Sequence, residues 1–424
     1  MNVVAACDAA ALSSLLDTGW NPPATVVDEV AKIISDVRAR GDAAVLEYAR
    51  RFDGEGFDLA KLRVPIPMVD AARALVPAKI VSALELAQDR ISRFQGRQRQ
   101  PDIAFVEADG TRYGVQRRPL RSVAVYVPRL ATLDILMGAV PAKLAGVPRV
   151  VVLSPGGAEP LSSTLLFACA LCRVDELYAI GGAQAIAAAA FGTESLVPVD
   201  KIVGRGGIWT TEAKRQVFGR CGIDELAGPT EVLIVADDGA NSEYVVGELL
   251  AQAERPGVTR LGVLSESRPL LEAVAQLLDS LDLRTLERHE LVSDAIGNHC
   301  RLIAASSRDE LFEVLNRLAP GYLCLQVRDA SEYLGRIYAA GAIFVGDTTP
   351  VVSGEYLAGT SSVVPTAGTA RYASSLSLGD FTRSFTLVEN TAQRIANDAE
   401  LLAALAELDG LPNHAQTARM RLEI

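Results

Sequence analysis

From residue 122 the chain alternates between two periodicities, and that alternation limits the possible folds more than any other feature. Short apolar runs (SVAVYVP at 122–128, RVVVLSP at 149–155, ELYAIGG at 176–182) alternate with longer helical stretches such as LATLDILMGAVPAKLAGV at 130–147 and PLSSTLLFACALCRV at 160–174. A second series follows residue 231: EVLIVAD, RLGVLS, RLIAAS, YLCLQV and AIFVG, separated by helical segments at 240–254, 268–281, 307–319 and 331–341. Strands joined through helices make parallel sheets with crossovers. The expected fold is therefore α/β, with two consecutive Rossmann-like α/β units at 122–230 and 231–375. Neither unit carries a full G-x-G-x-x-G followed by an acidic residue about twenty positions on. A cleft between two such sheets is the generic place for a ligand.

The flanks read differently. Residues 24–52 and 68–97 have apolar positions at i, i+3, i+4 with charges between them, so a helical N-terminal region is expected. FVEADGTRYGVQRRPL, with its Asp-Gly turn, predicts a hairpin. Together, residues 1–121 are expected to pack with 231–375. Residues 376–424 end in NTAQRIANDAELLAALAELDGLPNHAQTARMRLEI, read as helix, glycine stop, helix. That arm cannot bury both of its faces alone.

Composition excludes several classes of function. A net charge of −11 with no Lys/Arg run argues against nucleic-acid and anionic-membrane partners. No apolar run approaches the about eighteen residues of a membrane span. The first twenty residues lack a basic segment ahead of a long apolar one, so a cytoplasmic location is expected. The six cysteines are scattered; the Cys169/Cys172 pair lies on an apolar helix and reads as buried thiols rather than a metal or redox motif. With only three histidines (His289, His299, His414), imidazole chemistry has few positions to use.

Residues 180–231 hold the densest signals: a Gly-Gly turn into an Ala-rich helix, a strand at 201–203, a second glycine turn, and a Gly-Pro turn into the next strand. Glycines between strand and helix let backbone N–H groups approach a ligand. The blocks GGAQAIAA, VDKIVG, EAKRQVFG, GIDELAGPTEVLI and LLAQAE, with YVP at 126–128, AVPAKLAGV at 139–147, GT..VPT at 359–366 and GL..H at 410–414, stand in order along nearly the whole chain. In these blocks the chain resembles the histidinol dehydrogenase family.

The resemblance implies a homodimer whose C-terminal arm completes the partner's site, and an enzyme that oxidises an amino alcohol twice with two NAD, using a zinc ion and a Glu-His pair. Carried over position by position, much of that machinery is changed. The block N-x-x-A-P-E-H-L is NRLAPGYL here, with Gly321 for the glutamate and Tyr322 for the histidine. A phenol, ordinarily of pKa ~10, is either an acid/base with help from a cation or an aromatic filling vacated space. Of the zinc ligands Gln, His, Asp and His, Gln252 and His414 remain, Glu355 replaces the aspartate, and Arg255 takes the place of a histidine. A permanent cation cannot ligate a metal, so zinc is not expected. Arg255 would pair with Glu355 or hold a substrate anion. In the substrate pocket Ser362 replaces a histidine, Thr230 a serine and Asp409 a glutamate. Tyr126 and Gln184 match NAD contacts, whereas Gly207 replaces an asparagine in a turn that also gains Arg205; Arg129 is likewise added after YVP.

Three readings follow. The first is an NAD-linked dehydrogenase of this family, without zinc, acting on a small alcohol or amine other than histidinol, with Tyr322 and Glu355 as its catalytic pair. The second is a zinc-dependent L-histidinol dehydrogenase. The third is a redox-inactive member with a binding or non-redox catalytic role.

Overall fold

A computed structural model describes residues 1–16, 21–156 and 160–421. In chain order the strands are β1 (Val3–Ala5), β2 (Ile103–Val106), β3 (Arg112–Pro119), β4 (Ser122–Tyr126), β5 (Arg149–Leu153), β6 (Glu176–Tyr178), β7 (Lys201–Val203), β8 (Gly222–Ile223), β9 (Thr230–Ala236), β10 (Thr259–Ser265), β11 (Cys300–Ala304), β12 (Tyr322–Gln326), β13 (Ala342–Val345) and β14 (Thr382–Glu389). They form three sheets. The first unit is the parallel sheet β6-β5-β4-β7-β8, and the second is the parallel sheet β1-β11-β10-β9-β12-β13. The third, β14-β3-β2, is antiparallel.

The central strands are near-continuous runs of Val, Ile and Leu because helices cover both faces. Every residue of β4 is buried. One face of its sheet packs on Thr132–Ala145, Ser163–Leu171 and Ala78–Gly96 through Val123, Val125, Ile135, Leu136, Leu165 and Ile91. The other face packs on Gly182–Phe191 and Ile208–Val217, themselves covered by Ala24–Arg40 and Asp42–Asp53.

That arrangement corrects the expected packing of residues 1–121 on 231–375. The helices between 24 and 96 lie on the first unit, where Val30, Ile33 and Val37 share a core with the Ala-rich helix. Small alanine side chains admit a second helical layer at close approach. Only β1, paired with β11, and the helix Ala9–Leu16 join the second sheet.

Other differences are local. The helical periodicity over 24–52 is interrupted at Gly41 (φ 55°), where a Cβ would strike the Glu194 carboxylate. Pro77 starts a fresh helix within 68–97. The helix expected at 331–341 is a single turn, Ser331–Leu334. The hairpin of β2 and β3 forms, but β14 joins it along its length, from Thr382 opposite Pro119 to Glu389 opposite Arg112. All but the first residue of β14 is exposed, so no buried face imposes the alternation that reveals a strand. The C-terminal helices Ala392–Leu408 and Pro412–Arg419 pack on each other through Ala403, Ala415 and Ala418, leaving Leu401, Leu405 and Leu408 exposed. Among the described residues no helix is long and apolar enough to cross a membrane.

Candidate active site

The first unit presents the carboxyl ends of β4, β7 and β8. Tyr126 closes β4, and its Oη accepts a hydrogen bond from Gly182 N at 3.2 Å. Gly204, just after β7, has φ 107°, and a Cβ there would strike the Tyr126 carbonyl, so only glycine fits. Its N–H donates to Asp224 Oδ2 at 2.7 Å, and its carbonyl accepts from Lys214 Nζ at 3.0 Å. Lys214 also pairs with Asp224, both buried. Gly207 caps the helix Ile208–Val217 and faces open space. Gln184 is fully buried, yet neither its amide oxygen nor its nitrogen has a partner. Arg205 is paired within the chain: its Nη2 and Nε donate to Asp134 at 2.8 and 3.3 Å. Burial pushes the Asp53 carboxyl up, while nearby Arg129 opposes the shift.

The second unit presents the opposite, amino end of its sheet. Thr230 and Tyr322 open β9 and β12. Gln252, in the helix Ser242–Ala253, and Arg255, just beyond it, return to that end because a crossover helix runs antiparallel to its strands. Arg255 is ion-paired with Glu355 and donates from Nε to Gln252 Oε1 at 3.0 Å. Gln252 Nε2 donates to Glu248 Oε1 at 3.3 Å, and Glu248 Oε2 accepts from Val351 N at 3.1 Å. A closed chain of polar groups results, with no member left open.

Tyr322 is buried, with its ring tilted against Phe344, and its Oη donates to the Ser362 carbonyl at 3.0 Å. Burial pushes the phenol up; the charges of Arg205 and Arg255 oppose the shift without reversing it. Tyr322 therefore feels the charge of a guanidinium from each unit, and it is neutral at pH 7. The backbone at Gly321 is tight: a Cβ would lie 2.9 Å from Thr366 Cγ2 and 3.1 Å from the Pro365 carbonyl. Ser362 Oγ is buried without a partner.

The structure thus gathers Gln252, Arg255 and Glu355, with Tyr322 and Ser362 joined beside them. Asp409 and His414 lie exposed on the C-terminal helices, and no described hydrogen bond or ion pair links them to this group. The sequence reading missed Asp134, Lys214, Asp224, Glu225 and Glu248. A lone charge inside an apolar stretch, as at Asp134 in LATLDILMGAV, was the available signal.

Two parallel sheets covered by helices, one contributing site positions from its carboxyl ends and the other from its amino end, define a two-unit α/β protein. The histidinol dehydrogenase family model matches residues 21–422, and the chain belongs to that family. A histidinol dehydrogenase of Listeria monocytogenes serotype 4b (strain F2365) is 36% identical over 411 residues, covering 96% of each chain. One from Heliobacterium mobile is 39% identical over 405 residues, covering 94% of each. The crystal structure of histidinol dehydrogenase from Elizabethkingia anophelis superposes with a TM-score of 0.92 at 28% identity, covering 100% of this chain and 98% of that one.

Proposed function

We propose that the protein is an NAD-linked oxidoreductase that works without zinc on a small alcohol or amine other than histidinol. The observation that carries this reading is the Arg255–Glu355 ion pair with Gln252 hydrogen-bonded to the same guanidinium. The donor set implied by the family does not fit a divalent ion here. Two of its oxygen donors already face a permanent cation, which repels a second one. Electrostatic work that a metal performs elsewhere in the family falls to Arg255.

The first unit suits a dinucleotide. Tyr126, the unpartnered Gln184 amide and the open helix start at Gly207 would hold it, and the bound nicotinamide would supply the hydride acceptor. Glu355, the carboxylate of that ion pair, is the proton acceptor for the alcohol. Tyr322, whose proton is directed at the Ser362 carbonyl, positions that loop rather than moving a proton. Asp409 and His414 would reach the pocket of a second copy, the exposed Leu401, Leu405 and Leu408 forming the seam of a homodimer.

Metal analysis of the purified protein and calorimetry with NAD test the proposal together. Zinc below one-tenth occupancy with saturable NAD binding is the expected result. Stoichiometric zinc overturns it, and absence of dinucleotide binding points instead to a redox-inactive role. The relatives' identity over nearly the whole chain favours a second reading, zinc-dependent L-histidinol dehydrogenase. Histidinol-dependent NADH formation that a chelator abolishes would establish it.

A further inference from the structure

Each cation of the cleft already has its own carboxylate: Arg205 has Asp134, Lys214 has Asp224, and Arg255 has Glu355. Beyond them, Lys201 is paired with Asp380. Glu225 is one carboxyl more than these pairs require. It is nine-tenths buried at the start of the connection from β8 to β9, and neither of its oxygens has a hydrogen-bond partner. The charged and titratable groups facing it are Asp224, Lys214, Arg205 and Asp380, with Tyr322 from the second unit. Both cations in that set are already engaged. A buried carboxylate left in this state is strongly destabilising, and the group responds by holding its proton. What the surroundings of Glu225 lack is therefore a donor or a positive charge.

We propose that Glu225 is the recognition group for a cationic nitrogen on the ligand, the ammonium of an amine or amino alcohol, seated beyond the carboxyl ends of β7 and β8. The inference rests on the reading above in taking this cleft as the place where the substrate binds. An incoming ammonium supplies the missing counter-charge and displaces the proton, so binding releases a proton wherever the empty site holds one. Affinity then rises with pH until Glu225 ionises unaided.

The test is calorimetry on the full-length protein without dinucleotide, at pH 7, in two buffers of different ionisation heat. The probes are ethanolamine, n-butylamine and L-histidinol, each compared with the same molecule carrying hydroxyl in place of its amino group. At least one amine should bind about thirtyfold or more tightly than its hydroxyl counterpart, with release of about one proton per site. Glu225→Gln should remove both the preference and the proton release while the melting temperature holds or rises, and Glu225→Asp should restore part of both. Equal binding within every pair, binding without proton release, or full retention of both effects in Glu225→Gln overturns the proposal. Because no dinucleotide is present, a failure of NAD binding leaves this result standing.

Discussion

The two units differ in how far the buried polar groups around the site are closed on one another. On the second unit the groups around Arg255 are closed on one another: Arg255 on Glu355 and Gln252, Gln252 on Glu248, Glu248 on Val351 N, and Tyr322 on the Ser362 carbonyl, with Ser362 Oγ left open beside them. On the first unit several are left open, with the Gln184 amide and both oxygens of Glu225 buried and unpartnered. An unsatisfied buried polar atom costs stability unless a ligand meets it. The contrast is between a cluster that supplies most of its own hydrogen-bond partners and one that leaves a whole amide and a whole carboxyl open. The Arg255 guanidinium supplies a charge and hydrogen bonds to its neighbours, whereas among the described residues nothing meets the Gln184 amide.

The sharpest way to break the comparison is Glu355→Ala. If the second unit is closed by its ion pair, this leaves Arg255 without a counter-charge and should reduce unfolding free energy by about 3 kcal/mol, read from urea denaturation. A change below about 0.5 kcal/mol would mean that the pair contributes nothing, as exposed pairs usually do.

Next in size is a pH effect at Glu231. Burial raises its carboxyl from 4.5 to about 7 despite the Arg260 pair at 3.1 Å. Because the folded pKa is the higher one, the folded state binds the extra proton. Its contribution is complete below about pH 4.5 and is lost as pH rises through 7, a swing of about 3 kcal/mol. Glu231→Gln should flatten that part of the stability profile between pH 5 and 8, read from melting curves; an unchanged slope would place the titration elsewhere.

Gln184→Leu probes the open side. Removing two unsatisfied polar atoms should raise the stability of the unliganded protein by about 1 kcal/mol while weakening NAD binding, measured by denaturation and calorimetry on the same sample. A loss of stability would show that the amide is not open after all. Smallest is Tyr322→Phe, which leaves the Ser362 carbonyl without its donor and should cost about 1 kcal/mol. Its turnover should stay within a few-fold of the parent if the phenol only positions the loop; a hundredfold loss would make Tyr322 a proton carrier.

How much of this was legible in the sequence varied with how locally each feature is determined. The parallel units were readable because strands buried on both faces must be continuous apolar runs, as β4 and β5 are. β14 was not, since an exposed strand carries no burial pattern. The cationic character of position 255 was visible as a residue type, because a guanidinium is charged in any surroundings. Glu355 is one of its two expected partners, but the choice is open in the sequence, since that carboxylate lies 100 positions away and whether it or a ligand anion meets the guanidinium is a matter of distance.

The chain alone determined the fold class, the separation into two sheets and the chemical character of each site position, because those depend on periodicity and on side-chain identity. Only the tertiary structure decided which carboxylates neutralise which cations, that the N-terminal helices lie on the first sheet, and that Glu225 is left over. These outcomes depend on which surfaces meet across long stretches of chain, and sequence spacing does not encode such meetings.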